Sequence, residues 1–434
     1  MDRASTSKLR VLFRGWILQH SYAMVFTNQL LTFAKNFNDR MIIYLEEREY
    51  FNQKWNSSKK FVFSKEDSEI VSKIQRYNGE DIDIIYNITF PYDIQPIQRK
   101  DKSFIPKLVF FTSEYAILDS TYFSINYPER VASNNNIESI ITQILNNPRF
   151  NIYTTCPSSW SAMGLSRYID INKRNKVIPH GVSMDFHKHS DIKRRNAMRR
   201  FYKFDETDIV LLNIGSMTQN KGIIEILTAF YKLIYDYGKT NFKLLLKGSD
   251  SLYNSLEFVK TYIKIIIENA TNINKDSKEF EKCFRKMCSS IVYISDTFSN
   301  ERLNDLFNAC DIYVSPYIAE GFNLVPLEAL SSGMKLVISK TGSTKDYITD
   351  IMNSVENSDT LIHMLDTKIT KDSNGYKNTY SINDLIETIL TASESKPTIK
   401  TISDVHNVIH HNYNWNSICE QVFNYMNEIV RNNN

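Results

Sequence analysis

No stretch of this 434-residue chain approaches the roughly 18 uncharged apolar residues that a bilayer-spanning helix needs. Its opening, MDRASTSKLRVLFRG, lacks the apolar core and cleavage site of a secretory leader, so a cytoplasmic location is expected. Cysteine is sparse: Cys156, Cys283, Cys288, Cys310 and Cys419 are odd in number and without CxxC spacing. That pattern excludes a disulfide framework and argues against a zinc site. There is no excess of one charge either, because 52 basic residues meet 49 acidic ones for a net charge of +3. Nucleic acid is therefore not an expected partner. The glycine fingerprint of dinucleotide-binding folds is missing, which counts against nicotinamide cofactors, and no cofactor or internal repeat is expected.

The composition is that of a globular protein, with 42% hydrophobic and 23% charged residues, and the length exceeds what one core usually fills. Short apolar runs at 9–13, 40–45, 81–88, 107–111, 151–155 and 176–179 alternate with amphipathic stretches. The pattern resumes at 208–215, 242–248, 290–295, 311–316 and 334–339. Strands alternating with helices mean parallel α/β layers, and two sets predict two facing, doubly wound Rossmann-like domains. The boundaries expected are 1–185 and 186–410, with a last helix, 411–434, packing back on the first domain. Residues 250–290 read as a helical insertion and 364–380 as an exposed polar loop. Residues 188–203 hold seven Lys or Arg against one Asp and read as a solvated helix face, with peripheral membrane contact as the alternative.

The most informative stretch is SPYIAEGFNLVPLEALSSG, which sets Glu320 in a glycine-containing loop and Glu328 in the first turn of the next helix. Pro326 suits the helix start and Gly333 its end. Gly321 lets backbone approach a ligand, so the amides of Phe322, Asn323 and Leu324 are candidates to donate to hydroxyls or phosphate oxygens. Glu320 would accept from a hydroxyl. Lys221 lies at the turn between the strand DIVLLNIG and a helix with Ile223, Ile226, Leu227, Phe230, Leu233 and Ile234 on one face. Lys247 ends the next strand and would point into the same crevice. Two lysines at neighbouring strand ends suit a diphosphate.

In the first domain, Gly15 and the loop to His20 would form an opposing lip. Ser21 would cap a helix with Met24, Asn28, Leu31 and Ala34 turned inward. Asp81 and Asp83 spell D-x-D, yet DIDIIYNI alternates as the start of a buried strand, and no metal is expected there. His180 reads as a turn residue at the domain junction. His187 with His189, and His410 with His411, read as solvated, without carboxylate partners at ligand spacing.

Taken together these residues resemble the family-4 retaining glycosyltransferases. EGFNLVPLEALSSG is similar to the family's EGFGLPxLEAMACG, NIGSMTQNKGIIEILTAF to its G-R-x-x-x-x-K-G phosphate loop, and VIPHGVSMDF to its junction. The closing YNWNSICEQVFNYM is similar to its terminal helix. The resemblance implies the B-type glycosyltransferase fold and metal-free, retaining transfer of a hexosyl group from a nucleotide-diphosphate sugar. Acceptors of that class are glycan, lipid or protein hydroxyls. Lys221 and Lys247 would hold the diphosphate with Gly15 nearby, Glu328 the ribose, and Glu320 with Gly321 to Leu324 the sugar. Ser216 stands where the family has its phosphate Arg. VFFTSEY lacks the family's His, leaving Glu114 as a candidate on the acceptor side. A nucleotide-sugar epimerase and an inactive carbohydrate-binding or scaffold protein of the same fold are the alternatives.

Overall fold

The structure is a computed structural model that describes residues 8–18, 21–50, 61, 63–124, 136–271 and 277–433. His20 lies outside them. The chain forms two compact units, residues 1–181 with 415–434, and residues 182–414. The changeovers fall at Gly181 and Asn414, four residues from those read in the sequence. Unit 1 ends where the ring of Trp415 closes on Gly181: a Cβ there would stand 2.5 Å from the indole. The chain therefore enters its last helix beside the point where it left the unit.

Unit 1 is built on β1 (Leu9–Gly15), β2 (Met41–Glu47), β3 (Gln75–Arg76), β4 (Ile84–Ile88), β5 (Tyr92–Asp93), β6 (Lys107–Phe110), β7 (Phe123–Ser124), β8 (Ile152–Cys156) and β9 (Asn175–Val177). Seven of these make one parallel sheet in the order β3-β2-β1-β4-β6-β8-β9. Central strands such as Ile84–Ile88 are buried throughout, as parallel strands covered on both faces must be. The helix Ser21–Asn36 packs Phe26, Leu30 and Phe33 into this core. Of the inward face read from sequence only Leu31 is buried, since Met24 is exposed and Asn28 and Ala34 are only half-buried. The larger apolar area at positions 26, 30 and 33 decides the rotation. The helix Trp415–Asn433 belongs to this unit and adds Ile418, Val422, Phe423, Met426 and Ile429 to the same cluster.

Unit 2 holds β10 (Ile209–Ile214), β11 (Phe242–Lys247), β12 (Ile291–Ile294), β13 (Ile312–Ser315), β14 (Lys335–Ser339) and β15 (Ile362–Leu365). They form a parallel sheet in the order β12-β11-β10-β13-β14-β15. Strand order reverses between β10 and β13, which is where open α/β sheets place their ligands. Apolar clusters lie on both faces of the sheet.

Three sequence readings change. Residues 364–380 are not a loop: Lys368–Asp372 (β16) and Gly375–Thr379 (β17) pair as an antiparallel hairpin, turning at the residues Asp372 to Gly375. The basic segment is a solvated face only in part: Lys188, Lys193, Arg194, Arg200 and Lys203 are exposed, but the rest of its charge is turned to carboxylates. Arg199 is buried, bonding Asp311, and Arg195 and Arg194 pair with Asp311 and Asp305. Finally, His189 and His410 are partnered rather than solvated, while His187 and His411 are exposed as read. His189 meets Asp305 at 2.8 Å, and His410 shares Ser331 and the Phe186 carbonyl at 2.6 and 3.0 Å. Burial, with His406 alongside, pushes His410 down to about 4.

Candidate functional site

The two strands flanking the reversal in unit 2 deliver the central pair of residues. After β10 the chain makes a short 3-10 turn, Gln219–Lys221, and enters the helix Ile223–Tyr235 through Gly222. Gly222 has φ +73°, and a Cβ on it would stand 2.3 Å from the Pro316 carbonyl oxygen, so only glycine fits this crossing. After β13 the segment Pro316–Ala319 runs against that turn. The amides of Ile318 and Ala319 donate to the Asn220 carbonyl at 2.8 and 3.1 Å. The residues that follow Asn220 and Ala319 are Lys221 and Glu320, and their side chains form an ion pair. Glu320 is 5% exposed.

Lys247 arrives from the other side of β10. The Gly215 amide donates to the Lys247 carbonyl at 3.0 Å, and the Lys221 stem passes over Gly215, its Cε 3.7 Å from where a Cβ would be. Both lysines therefore rise from one sheet edge. Lys247 sits 5.1 Å from the Phe298 ring centre, and the Arg302 guanidinium lies 4.0 Å from the same centre. Burial, with the Arg302 charge adding, lowers the Lys247 ammonium from its ordinary value against the pull of Asp296. Phe298 and Arg302 went unnoticed in the sequence, where nothing but their place after β12 marks them.

Glu328 occupies the first turn of the helix Val325–Ser331, in which Pro326 is the second residue. Partly buried, it is pushed up to about 7 by desolvation. Both Glu328 and Glu320 act on the Tyr313 hydroxyl, which burial chiefly, and then these charges, hold protonated well beyond its usual range. Tyr313 donates to the Ile214 carbonyl at 3.2 Å, which ties the carboxylates to the end of β10. Gly321 and Phe322 are buried between them. Asn323 adopts φ +63°, its side chain donating to Ser315 at 2.9 Å and its carbonyl accepting from Tyr347 at 3.0 Å. Leu324 precedes the helix as its cap. Ser216 is turned into the protein, its hydroxyl 2.9 Å from that of Thr218 and its carbonyl accepting from Ser255 at 2.8 Å.

The remaining candidates belong to unit 1. Gly15 ends β1, and its missing side chain makes room for the Phe26 ring, 2.4 Å from a would-be Cβ. Glu114 is exposed, with its carbonyl accepting from the Trp160 indole at 2.7 Å. Asp81 and Asp83 both bond Arg10, at 2.7 Å each. His180 is buried beside Phe110, and desolvation takes its imidazole down to about 3.

Residues 194–358, which contain every one of these unit 2 side chains, match the profile of the family described as glycosyl transferases group 1. That stretch thus carries the sequence pattern of the group 1 glycosyl transferases. It is 23% identical over 181 residues to an uncharacterized glycosyltransferase, MJ1607, of Methanocaldococcus jannaschii, covering 42% of this chain and 40% of that one. It is 24% identical over 176 residues to a lipopolysaccharide 1,2-N-acetylglucosaminetransferase of Salmonella typhimurium, 40% of each chain. The alignments thus span 40% of the length of these curated relatives. A solved structure of Anabaena Alr3699/HepE in complex with UDP-glucose superposes with a TM-score of 0.58 at 15% identity, over 97% of this chain and 100% of that one. At that identity the likeness is one of fold, and the fold is the B-type glycosyltransferase architecture of two parallel α/β sheets. Among the described residues no helix is long and apolar enough to cross a membrane.

Proposed function

We propose that this chain is a group 1 glycosyl transferase that moves a hexosyl group from a nucleotide-diphosphate sugar to an acceptor hydroxyl, retaining the anomeric configuration. One observation carries the reading: Lys221 and Glu320 meet at the strand reversal of unit 2, with Lys247 at the adjoining strand end and Glu328 in the first turn of the helix that follows. The two lysines, assisted by Arg302, supply the positive charge that a diphosphate needs as it leaves. They take over from the Arg that Ser216 replaces. Glu328 accepts ribose hydroxyls, and Glu320 accepts from the sugar. In the reaction the acceptor oxygen bonds to the anomeric carbon while the bond to the diphosphate breaks on the same face. The acceptor proton passes to the departing phosphate oxygen. On the resemblance alone, Gly15 is assigned to the phosphates and Glu114 to the acceptor.

A UDP-sugar is the first donor to try, because the structurally similar Anabaena protein was solved with UDP-glucose and the Salmonella relative is named for transfer of N-acetylglucosamine. The test is hydrolysis and transfer across UDP-, GDP- and ADP-sugars. Lys221→Ala and Glu320→Ala should each lower turnover at least about tenfold, or about 1.4 kcal/mol of transition-state stabilisation. Wild-type rates in both variants, or no binding of any donor by the wild-type chain, would overturn the proposal.

A further inference from the structure

The hairpin β16–β17 follows residues 194–358, so it lies outside the stretch matching the family profile. Its β16 arm is exposed along its length, and Ile369 is 49% exposed. Its other arm ends differently. Asn378, near the end of β17, is 2% exposed and spends its amide and both side-chain polar groups on two neighbouring segments. The Asn378 amide donates to the Ile318 carbonyl at 2.8 Å. Its side-chain NH2 donates to the carbonyls of Tyr317 and Thr341 at 3.2 and 3.1 Å, and its side-chain oxygen accepts from the Thr341 hydroxyl at 2.7 Å. Two residues on, the Tyr380 hydroxyl donates to the Pro316 carbonyl.

Residues 316–319 are the segment whose opposite edge is held by Asn220, and the next residue is Glu320. One edge is thus fixed by the turn that carries Lys221, and the other by the end of the hairpin. We propose that the hairpin is a clamp on the Glu320 loop and that Asn378 is its positioning residue, setting the geometry at which Glu320 meets Lys221 and the donor sugar. The inference rests on reading Glu320 as a donor-site residue. Side-chain chemistry supports asparagine at this position. An aspartate would turn acceptors toward two carbonyls, and an alanine would take one of two donors from each, leaving Tyr317 only the Ser339 hydroxyl and Thr341 only the Tyr317 hydroxyl.

The test pairs a structural readout with kinetics. Hydrogen exchange of the 316–322 peptide in the protein alone should quicken about tenfold in Asn378→Ala. The isosteric Tyr380→Phe, which removes a single hydroxyl and makes no cavity, should quicken it by a smaller factor. With the best donor of the panel, kcat in Asn378→Ala should fall about tenfold while the donor KM changes less than threefold. In a Glu320→Gln background the same substitution should add little, because the group it positions is already altered. Unchanged exchange in both variants overturns the clamp whatever the donor proves to be. Faster exchange with unchanged kcat overturns Asn378 as a positioning residue. Should Glu320→Gln itself leave turnover intact, the donor-site reading fails while the exchange result still decides the clamp.

Discussion

Glu328 shows how much one carboxyl can reveal about its surroundings. Desolvation raises it from 4.5 to about 7, so between these values the folded chain keeps a proton that the unfolded chain has released. Its contribution to stability is therefore present at acid pH and is lost as pH climbs through that window. Glu328→Gln removes the titration, so urea unfolding should find the variant gaining on the wild type by on the order of 2 kcal/mol between about pH 4.5 and pH 8. Parallel pH profiles for the two proteins would refute the assignment. If Glu328 holds the ribose as proposed, donor affinity should move oppositely, rising with pH in the wild type because an ionised carboxylate is the better acceptor for hydroxyls. Lys221, Glu320 and Glu328 were legible in the sequence because short motifs fix them relative to a strand end and a helix start. Arg302 and Phe298 were not, since they reach Lys247 through the packing of separate elements.

Backbone conformation, rather than side-chain reach, governs the elements around the site. Asn323 stands where the family motif has glycine, and its φ of +63° explains the exchange: asparagine is the side chain that tolerates the left-handed region best. Both Asn323→Gly and Asn323→Ala lose the bond to Ser315, but only alanine strains the backbone. Thermal unfolding should therefore place Asn323→Ala about 1 kcal/mol below Asn323→Gly, and equal stabilities would remove the conformational argument. Strands were readable from their apolar runs, because both faces of each central strand are covered. The facing of the helix Ser21–Asn36 was not, since Met24 is as apolar as the residues that are actually buried and only the volume of Phe26 and Phe33 tips the rotation. The hairpin at 368–379 escaped notice for a related reason. Its polar arms carry no alternation, and its significance lies in Asn378 bonding a segment some sixty residues away.

On the scale of the molecule, unit 1 is assembled from two stretches separated by the whole of unit 2. The helix Trp415–Asn433 contributes seven buried residues to it, Ile418, Cys419, Val422, Phe423, Tyr425, Met426 and Ile429. At about 1.5–3 kcal/mol per large apolar side chain, their burial is worth on the order of 10 kcal/mol, comparable to the net stability of a domain. Deleting residues 415–434 should therefore abolish cooperative unfolding of unit 1 while leaving a transition for unit 2, as calorimetry can show. Two unchanged transitions would mean that the helix is dispensable. The sequence suggested this return of the chain through its resemblance to a terminal helix, but Gly181 against Trp415 is what makes the seam visible. A consequence follows for synthesis. As the nascent polypeptide leaves the ribosome, residues 1–181 must wait with an open flank until residues 415–434 emerge. Residues 182–414 are free to reach their final form before residues 1–181 can close, so within this stretch birth order and maturation order are reversed.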